Sequence, residues 1–130
     1  MRLALGAALL TVVVGSACAP PPPPTEATIR FHYSHFEPSF VRVKAGVPVT
    51  ITLRNDDPID HEWIVGNAGL HERHRHGTEQ VHDSIPSEVT VPALSTRVTT
   101  LTFAQSGELA YVCHLPGHEE YGMSGILRAT

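Results

Sequence analysis

Three side chains with metal-ligand chemistry recur at even spacing near the end of the chain: Cys113, His118 and Met123, as Cys-x4-His-x4-Met. The stretch that carries them, 111 to 125, reads Tyr-Val-Cys-His-Leu-Pro-Gly-His-Glu-Glu-Tyr-Gly-Met-Ser-Gly. A thiolate, an imidazole and a thioether on one loop are soft to borderline donors, a set suited to copper. The fourth donor must come from elsewhere in the chain. His61 is the candidate, because it opens an apolar run just after the turn Asn55-Asp56-Asp57-Pro58, 52 residues before Cys113. In a β-sandwich, strand ends far apart in sequence meet at one pole, so this separation is no obstacle. The plainer readings are a strand-edge role for His61 and gap filling in the core for Met123.

The elements that would position these residues read as all-β. Period-two alternation over 28–33, 40–43 and 47–53, an apolar run at 61–65, and further short runs at 88–91, 97–103, 108–113 and 125–129 read as about eight short strands. Turn signals separate them: Lys44-Ala45-Gly46, the Asn-Asp-Asp-Pro run, Pro92-Ala93-Leu94-Ser95 and Gln105-Ser106-Gly107. Such spacing predicts an antiparallel sandwich or barrel, and about 100 residues suits one sandwich. The segment 66–87 breaks the rhythm. It is polar and His-rich, with room for two helical turns near Leu70 to His76, between Gly69 and Gly77.

Length and composition set the frame. A chain of 130 residues is one domain, or one domain with a tail. A net charge of −4 offers no basic footprint for nucleic acid. Nine His against two Cys is a metal-site composition before any motif is sought. The start is read as an export signal over 1–17: Met1-Arg2, an apolar run from Leu3 to Val14, then Gly15-Ser16-Ala17. The apolar run is short for a bilayer span. With Cys18 next, the segment resembles a bacterial lipoprotein signal, whose cysteine becomes lipidated, although Gly15 stands where such signals carry a branched apolar residue. Ordinary secretion with cleavage near Ala19 is the alternative. Residues 18–27 are then the lipidated Cys and a linker containing five prolines, Pro20 to Pro24, a stiff polyproline spacer or a plain disordered one. Cys113 is left as the one free thiol, and an unpaired thiol in an exported protein is accounted for by a metal.

The motifs together resemble the cupredoxins, single-domain type 1 blue copper proteins of the plastocyanin and azurin kind. The likeness spans residues 28–130 and is carried by Val47-Pro48-Val49-Thr50 to Asn55, His61, Cys113-His114-Leu115-Pro116-Gly117-His118 and Gly122-Met123-Ser124-Gly125. It implies a Greek-key β-sandwich holding one copper ion. His61, Cys113 and His118 would be the trigonal ligands and Met123 the weak axial one. It further implies single-electron transfer between extracytoplasmic redox partners, one of which docks near His118, Leu115 and Pro116. The other ring nitrogen of His61 is expected to meet a buried carbonyl. Glu62 departs from the family, which often has a small polar residue there. His114 is read as an outward strand residue, since a metal-binding His-Cys-His triplet would need His where Val112 stands. Trp63 is read as core, and His32 and His35 as surface.

Other functions remain to be separated. His71, His74, His76 and His82, with Glu79 nearby, crowd one segment and would suit a second zinc or copper ion. Arg73 and Arg75 would oppose a cation there, which favours a solvated polar loop; a pH-tuned recognition surface is a third reading. A copper carrier or storage protein is the main alternative to an electron carrier. A copper enzyme would need a second metal centre shared between subunits. A binuclear copper centre needs two thiolates, and only Cys113 is on hand.

Overall fold

The computed structural model describes residues 20–77 and 85–130. Among these, nine strands and one helix follow in order: β1 (Glu26–His32), β2 (His35–Glu37), β3 (Phe40–Val43), β4 (Pro48–Asn55), β5 (His61–Gly66), α1 (Ala68–Arg75), β6 (Glu88–Val91), β7 (Thr96–Thr102), β8 (Gly107–Val112) and β9 (Ser124–Ala129). They form two sheets, ordered β2-β1-β4-β7 and β3-β9-β8-β5-β6. The expected all-β sandwich is therefore the fold, but not as a purely antiparallel one. β1 pairs parallel with β4, and β3 pairs parallel with β9. Parallel neighbours cannot be joined by a tight hairpin. The chain instead leaves the first sheet at β3, adds that strand to the second, and returns as β4.

Alternation in the sequence decides which face is inward. Along β4, Val49, Ile51 and Leu53 are buried, while Thr50, Thr52 and Arg54 lie toward solvent. β9 repeats the pattern with Gly125, Leu127 and Ala129 inside. The core between the sheets gathers Ile29 and Phe31 of β1, Val43, Trp63, Tyr111 and Leu127, all fully buried. Each large apolar side chain so buried contributes roughly 1.5–3 kcal/mol. Trp63 is core, as its sequence context indicates. One strand escaped the sequence pattern: the three residues of β2, too short for alternation to register. It folds back on β1 through Tyr33 and Ser34, both in the left-handed region at φ 53° and 55°.

The His-rich stretch begins as a helix. Asn67 caps α1 by accepting from the Leu70 amide through its side chain, and Gly77 follows the end at φ 66°. The proline linker is tied down where it enters the sandwich, with the Lys44 amide donating to the Pro24 carbonyl at 2.8 Å.

Packing is close where Tyr111 crosses β9. A Cβ built on Gly125 would run into the Tyr111 ring, whose hydroxyl is itself committed to the Pro38 carbonyl at 2.8 Å. Gly125→Ala should therefore destabilise the domain by about 1–3 kcal/mol through overpacking. Chemical denaturation measures this directly, and an unchanged midpoint would show that the ring has room to move.

Candidate metal centre

The site lies at one pole of the sandwich, where β4 ends, β5 begins, β8 ends and β9 begins. Its framework starts with Asn55, which occupies the inward phase at the end of β4 and is 1% exposed. A polar side chain there needs partners, and it has them. The Asn55 Nδ2 donates to the carbonyls of Ile59 at 2.8 Å, Pro92 at 3.0 Å and Val91 at 3.1 Å, while its Oδ1 accepts from the Asp57 amide at 3.0 Å. One side chain thus joins the β4–β5 turn to the β6–β7 turn.

That turn places Asp57 under His61. Asp57 is nearly buried and accepts three bonds: the Tyr33 amide at 2.8 Å on Oδ1, the Ser34 amide at 2.8 Å on Oδ2, and His61 Nε2 at 2.9 Å on Oδ2. Burial pushes its carboxyl up, but the two amides and His61 outweigh this and hold it below the ordinary carboxylate range. An ionised carboxylate only accepts, so the Nε2 of His61 carries the proton and its Nδ1 presents a lone pair. The partner of His61 is therefore a carboxylate, not the buried carbonyl expected from the sequence. In the sequence Asp57 stands out only as part of the Asn55-Asp56-Asp57-Pro58 turn.

Cys113 follows β8, and its amide donates to the Met123 carbonyl at 3.1 Å. The loop between them is closed on itself. The His118 amide donates to the Leu115 carbonyl at 3.0 Å, and the Met123 amide to the His118 carbonyl at 3.0 Å. Gly117 and Gly122 supply the left-handed corners at φ 83° and 90°, where a side chain would be strained. Met123, fully buried, and His118, half-buried, are set by this loop beside Cys113.

Three of the four residues singled out in the sequence converge. The His61 Nδ1 lies 3.1 Å from His118 Nδ1, and that nitrogen lies 3.2 Å from Cys113 Sγ. Among the described residues, His61, Cys113 and His118 are the one group whose donor atoms all fall within 4.8 Å of each other. Burial, with His61 alongside, holds the His118 imidazole below its ordinary pKa. The Cys113 sulfur accepts from the Glu62 amide at 3.3 Å. Burial nevertheless pushes this thiol up to about 11. Two imidazoles and a thiol sulfur facing inward fit copper, for which imidazole and soft sulfur are the preferred donors. Met123 is brought beside the group through its backbone bonds to Cys113 and His118.

The other histidines are placed differently from the sequence reading. His114 is not an outward residue: its side chain is 3% exposed. Its Nε2 donates to His71 Nδ1 at 2.9 Å, and His71 Nε2 donates to the Ala110 carbonyl at 3.2 Å. The His74 ring stacks on His114 with centroids 5.3 Å apart. Burial holds His114 down to about 4, which keeps it neutral. Arg75 closes the contact through a bidentate pair with Glu119 at 2.6 to 3.1 Å. The helix α1 is therefore a brace on the ligand loop. No sequence pattern within 71–76 could reveal this, since the brace is made with residues 43 or 44 positions away. The suggested second metal site does not assemble from its described members. His71 and His74 turn inward to His114, whereas His76 points outward to Glu72 at 2.9 Å. His82, Glu79 and Cys18 lie outside the described residues. His35 is exposed on the edge strand β2 and His32 half-buried at the end of β1, close to their surface reading.

This fold and this donor set are those of the cupredoxins. The model of copper binding proteins of the plastocyanin/azurin family matches residues 26–129, and the chain belongs to that family. Among curated relatives, it is 27% identical to the "Copper-resistant cuproprotein CopI" of Pseudomonas aeruginosa over 72% of this chain and 69% of that protein. It is 27% identical to the protein of that name from Rubrivivax gelatinosus over 69% of this chain and 56% of the relative. It is 32% identical to that of Vibrio cholerae over 64% and 51%. The chain thus spans between about half and two thirds of the length of these relatives. Solved structures of similar fold include a reduced auracyanin of Roseiflexus castenholzii (TM-score 0.72, 15% identity, 84% of this chain and 99% of that one). Auracyanin A of Chloroflexus aurantiacus is another (TM-score 0.67, 22% identity, 82% and 99%).

The raised Cys113 pKa is directly measurable. Free thiols titrate near 8.5, so an ordinary one would be mostly ionised at pH 9.5. In metal-free protein with Cys18→Ser, the Cys113 Cβ carbon signal should still report a thiol at that pH. A midpoint near 8.5 would mean that the pocket is open to water.

Proposed function

We propose that the protein is a mononuclear type 1 copper protein that passes single electrons between extracytoplasmic partners. The observation that carries this reading is the convergence of His61, Cys113 and His118 within 4.8 Å at the pole of a cupredoxin sandwich. His61, Cys113 and His118 would hold the copper as its strong ligands, and Met123 would add a weaker thioether donor. Bound copper supplies a one-electron couple. The chain's own contribution is to keep the ligand positions fixed in both oxidation states. The Asn55 and Asp57 bonds do this for His61, and the closed loop, braced by α1, does it for His118. The Glu62 amide, donating to Cys113 Sγ, tunes the thiolate. No substrate chemistry is part of the reading.

Partner docking is placed at the same pole. His118 is half-buried and Pro116 exposed there, with Leu115 beside them. Tyr33, Ile59 and Leu94, also at this end, are exposed apolar side chains at 78%, 46% and 72%. An apolar rim around a half-buried ligand suits brief contact with a redox partner, in which water is excluded without a large charged interface.

Copper(II) titration of the protein with Cys18→Ser tests the site. One equivalent of copper should bring up an intense visible thiolate-to-copper band with narrow copper hyperfine splitting. Cys113→Ser should abolish the band, and Met123→Leu should shift it while leaving copper bound. A colourless complex that survives Cys113→Ser would overturn the type 1 assignment.

A second reading, copper carriage or storage, is favoured by one observation: the curated relatives are named for copper resistance. It predicts rapid exchange of bound copper with a chelator, whereas an electron carrier should hold its copper and exchange electrons quickly. A subunit of a copper enzyme would need a further metal site, and the described residues of 71–76 do not gather one.

The domain is further proposed to be tethered. Residues 1–17 direct export, Cys18 carries the lipid, and the proline run after it spaces the sandwich, whose first strand begins at Glu26 rather than at 28, off a membrane facing the periplasm or cell exterior. Acyl chains bury at roughly 0.8 kcal/mol per CH₂, which makes such an anchor firm. Among the described residues, no helix is long and apolar enough to cross a membrane. Cys18→Ser should move the protein from the membrane fraction to the soluble extracytoplasmic fraction. Retention in the membrane would rule out lipid on Cys18.

A further inference from the structure

We propose that Asp57 is a positioning residue that sets the balance between the two copper oxidation states by acting through His61. This rests on the copper reading above and assigns a role that the ligand set does not contain.

A buried carboxylate is aimed at a ligand. Asp57 Oδ2 lies 2.9 Å from His61 Nε2, with the Asp57 side chain 8% exposed and that of His61 fully buried. The far ring nitrogen, His61 Nδ1, faces Cys113 and His118. The imidazole is therefore a rigid bridge with a negative charge on one side and the metal position on the other. A carboxylate accepting from the distal N–H draws the proton toward itself and makes the other nitrogen a stronger donor. A carbonyl at that place would orient the ring without adding charge. The carboxylate adds both effects, and burial keeps water from screening them.

Two further contacts keep the carboxylate from turning away. The Tyr33 and Ser34 amides each donate to it at 2.8 Å, and both residues sit at positive φ without being glycine. Its backbone is fixed on both sides, with the Asp57 amide donating to Asn55 Oδ1 and the Leu94 amide donating to the Asp57 carbonyl, each at 3.0 Å. Neither oxygen can swing out to solvent without giving up amide bonds.

The direction of the effect follows from charge. A stronger donor and a nearby negative charge favour the more highly charged Cu(II) over Cu(I). Asp57 thus lowers the reduction potential of the centre relative to the same ligands held by a neutral acceptor. A purely structural role would weaken both oxidation states together, and so would leave the potential where it was.

The test is Asp57→Asn, which keeps the shape and removes the charge, in the full chain with Cys18→Ser. Loss of such a partner typically costs 10–100-fold in metal affinity. The affinity for Cu(II) should fall within that range and that for Cu(I) at least tenfold less. Each tenfold of difference raises the potential by about 59 mV for a one-electron couple. Asn55→Ala is the structural control: it loosens the same turn but leaves the carboxylate, and it should move the potential far less. Equal losses for Cu(I) and Cu(II), or a shift as large in Asn55→Ala, would overturn the proposal while leaving the copper reading intact. A wild-type protein without a thiolate-to-copper band would overturn both.

Should Asp57→Asn not fold, nuclear magnetic resonance of the wild-type Cu(I) form decides the same point. The His61 Nε2 proton should be strongly downfield and slow to exchange, as a bond to a carboxylate requires. A proton at the ordinary imidazole position would overturn the proposal.

Discussion

Two imidazole nitrogens and a thiol sulfur lie within 4.8 Å of one another, and holding these three donors together is the constraint on which this pole of the structure depends. The nitrogens of His61 and His118 are 3.1 Å apart, and the Asp57 carboxylate commits the His61 proton to the opposite side of its ring. The surrounding fold must therefore hold the donors in place before the metal arrives. Much of the remaining structure at this pole can be understood as meeting that requirement.

The framework uses buried polar groups, each fully engaged. Asn55 joins two loops through four bonds. Asp57 accepts from two amides of the β1–β2 hairpin and from the Nε2–H of His61. An unmet polar group in such a place costs about 1–3 kcal/mol, so these residues specify one arrangement of loops rather than several. The hairpin shows the same economy. Tyr33 and Ser34 are held in a left-handed turn that neither residue favours, and the amides so exposed are the ones Asp57 needs. The parallel pairings of β1 with β4 and β3 with β9 bring these separate loops to the same end of the sandwich.

On the opposite flank the ligand loop is supported from outside the sandwich. Its own amides close it, and α1 presses His71 and His74 against His114, with Arg75 clasping Glu119. Histidine serves here as a flat, hydrogen-bonding spacer. A His-rich segment is thus accounted for without a second ion among its described residues. The same residue type carries two jobs in one small domain: as candidate metal donor at His61 and His118, and as packing and hydrogen-bonding surface at His71, His74 and His114.

What the sequence determined by itself was local. Alternation, short apolar runs and the turn signals between them located eight of the nine strands, because burying one face of a sheet favours an apolar residue at every second position. Cys113, His118 and Met123 were legible because three candidate ligands share one short loop, and His61 because it opens a strand after a strong turn. Only the tertiary structure decided what lay across long separations. It placed Asp57 beneath His61, turned His114 inward against a helix 43 residues earlier in the chain, and made two strand pairs parallel. These depend on which loops the packed sheets bring together, and a side chain's partner there is chosen by space and by unmet hydrogen bonds. Neither quantity is written in the spacing of residues along the chain.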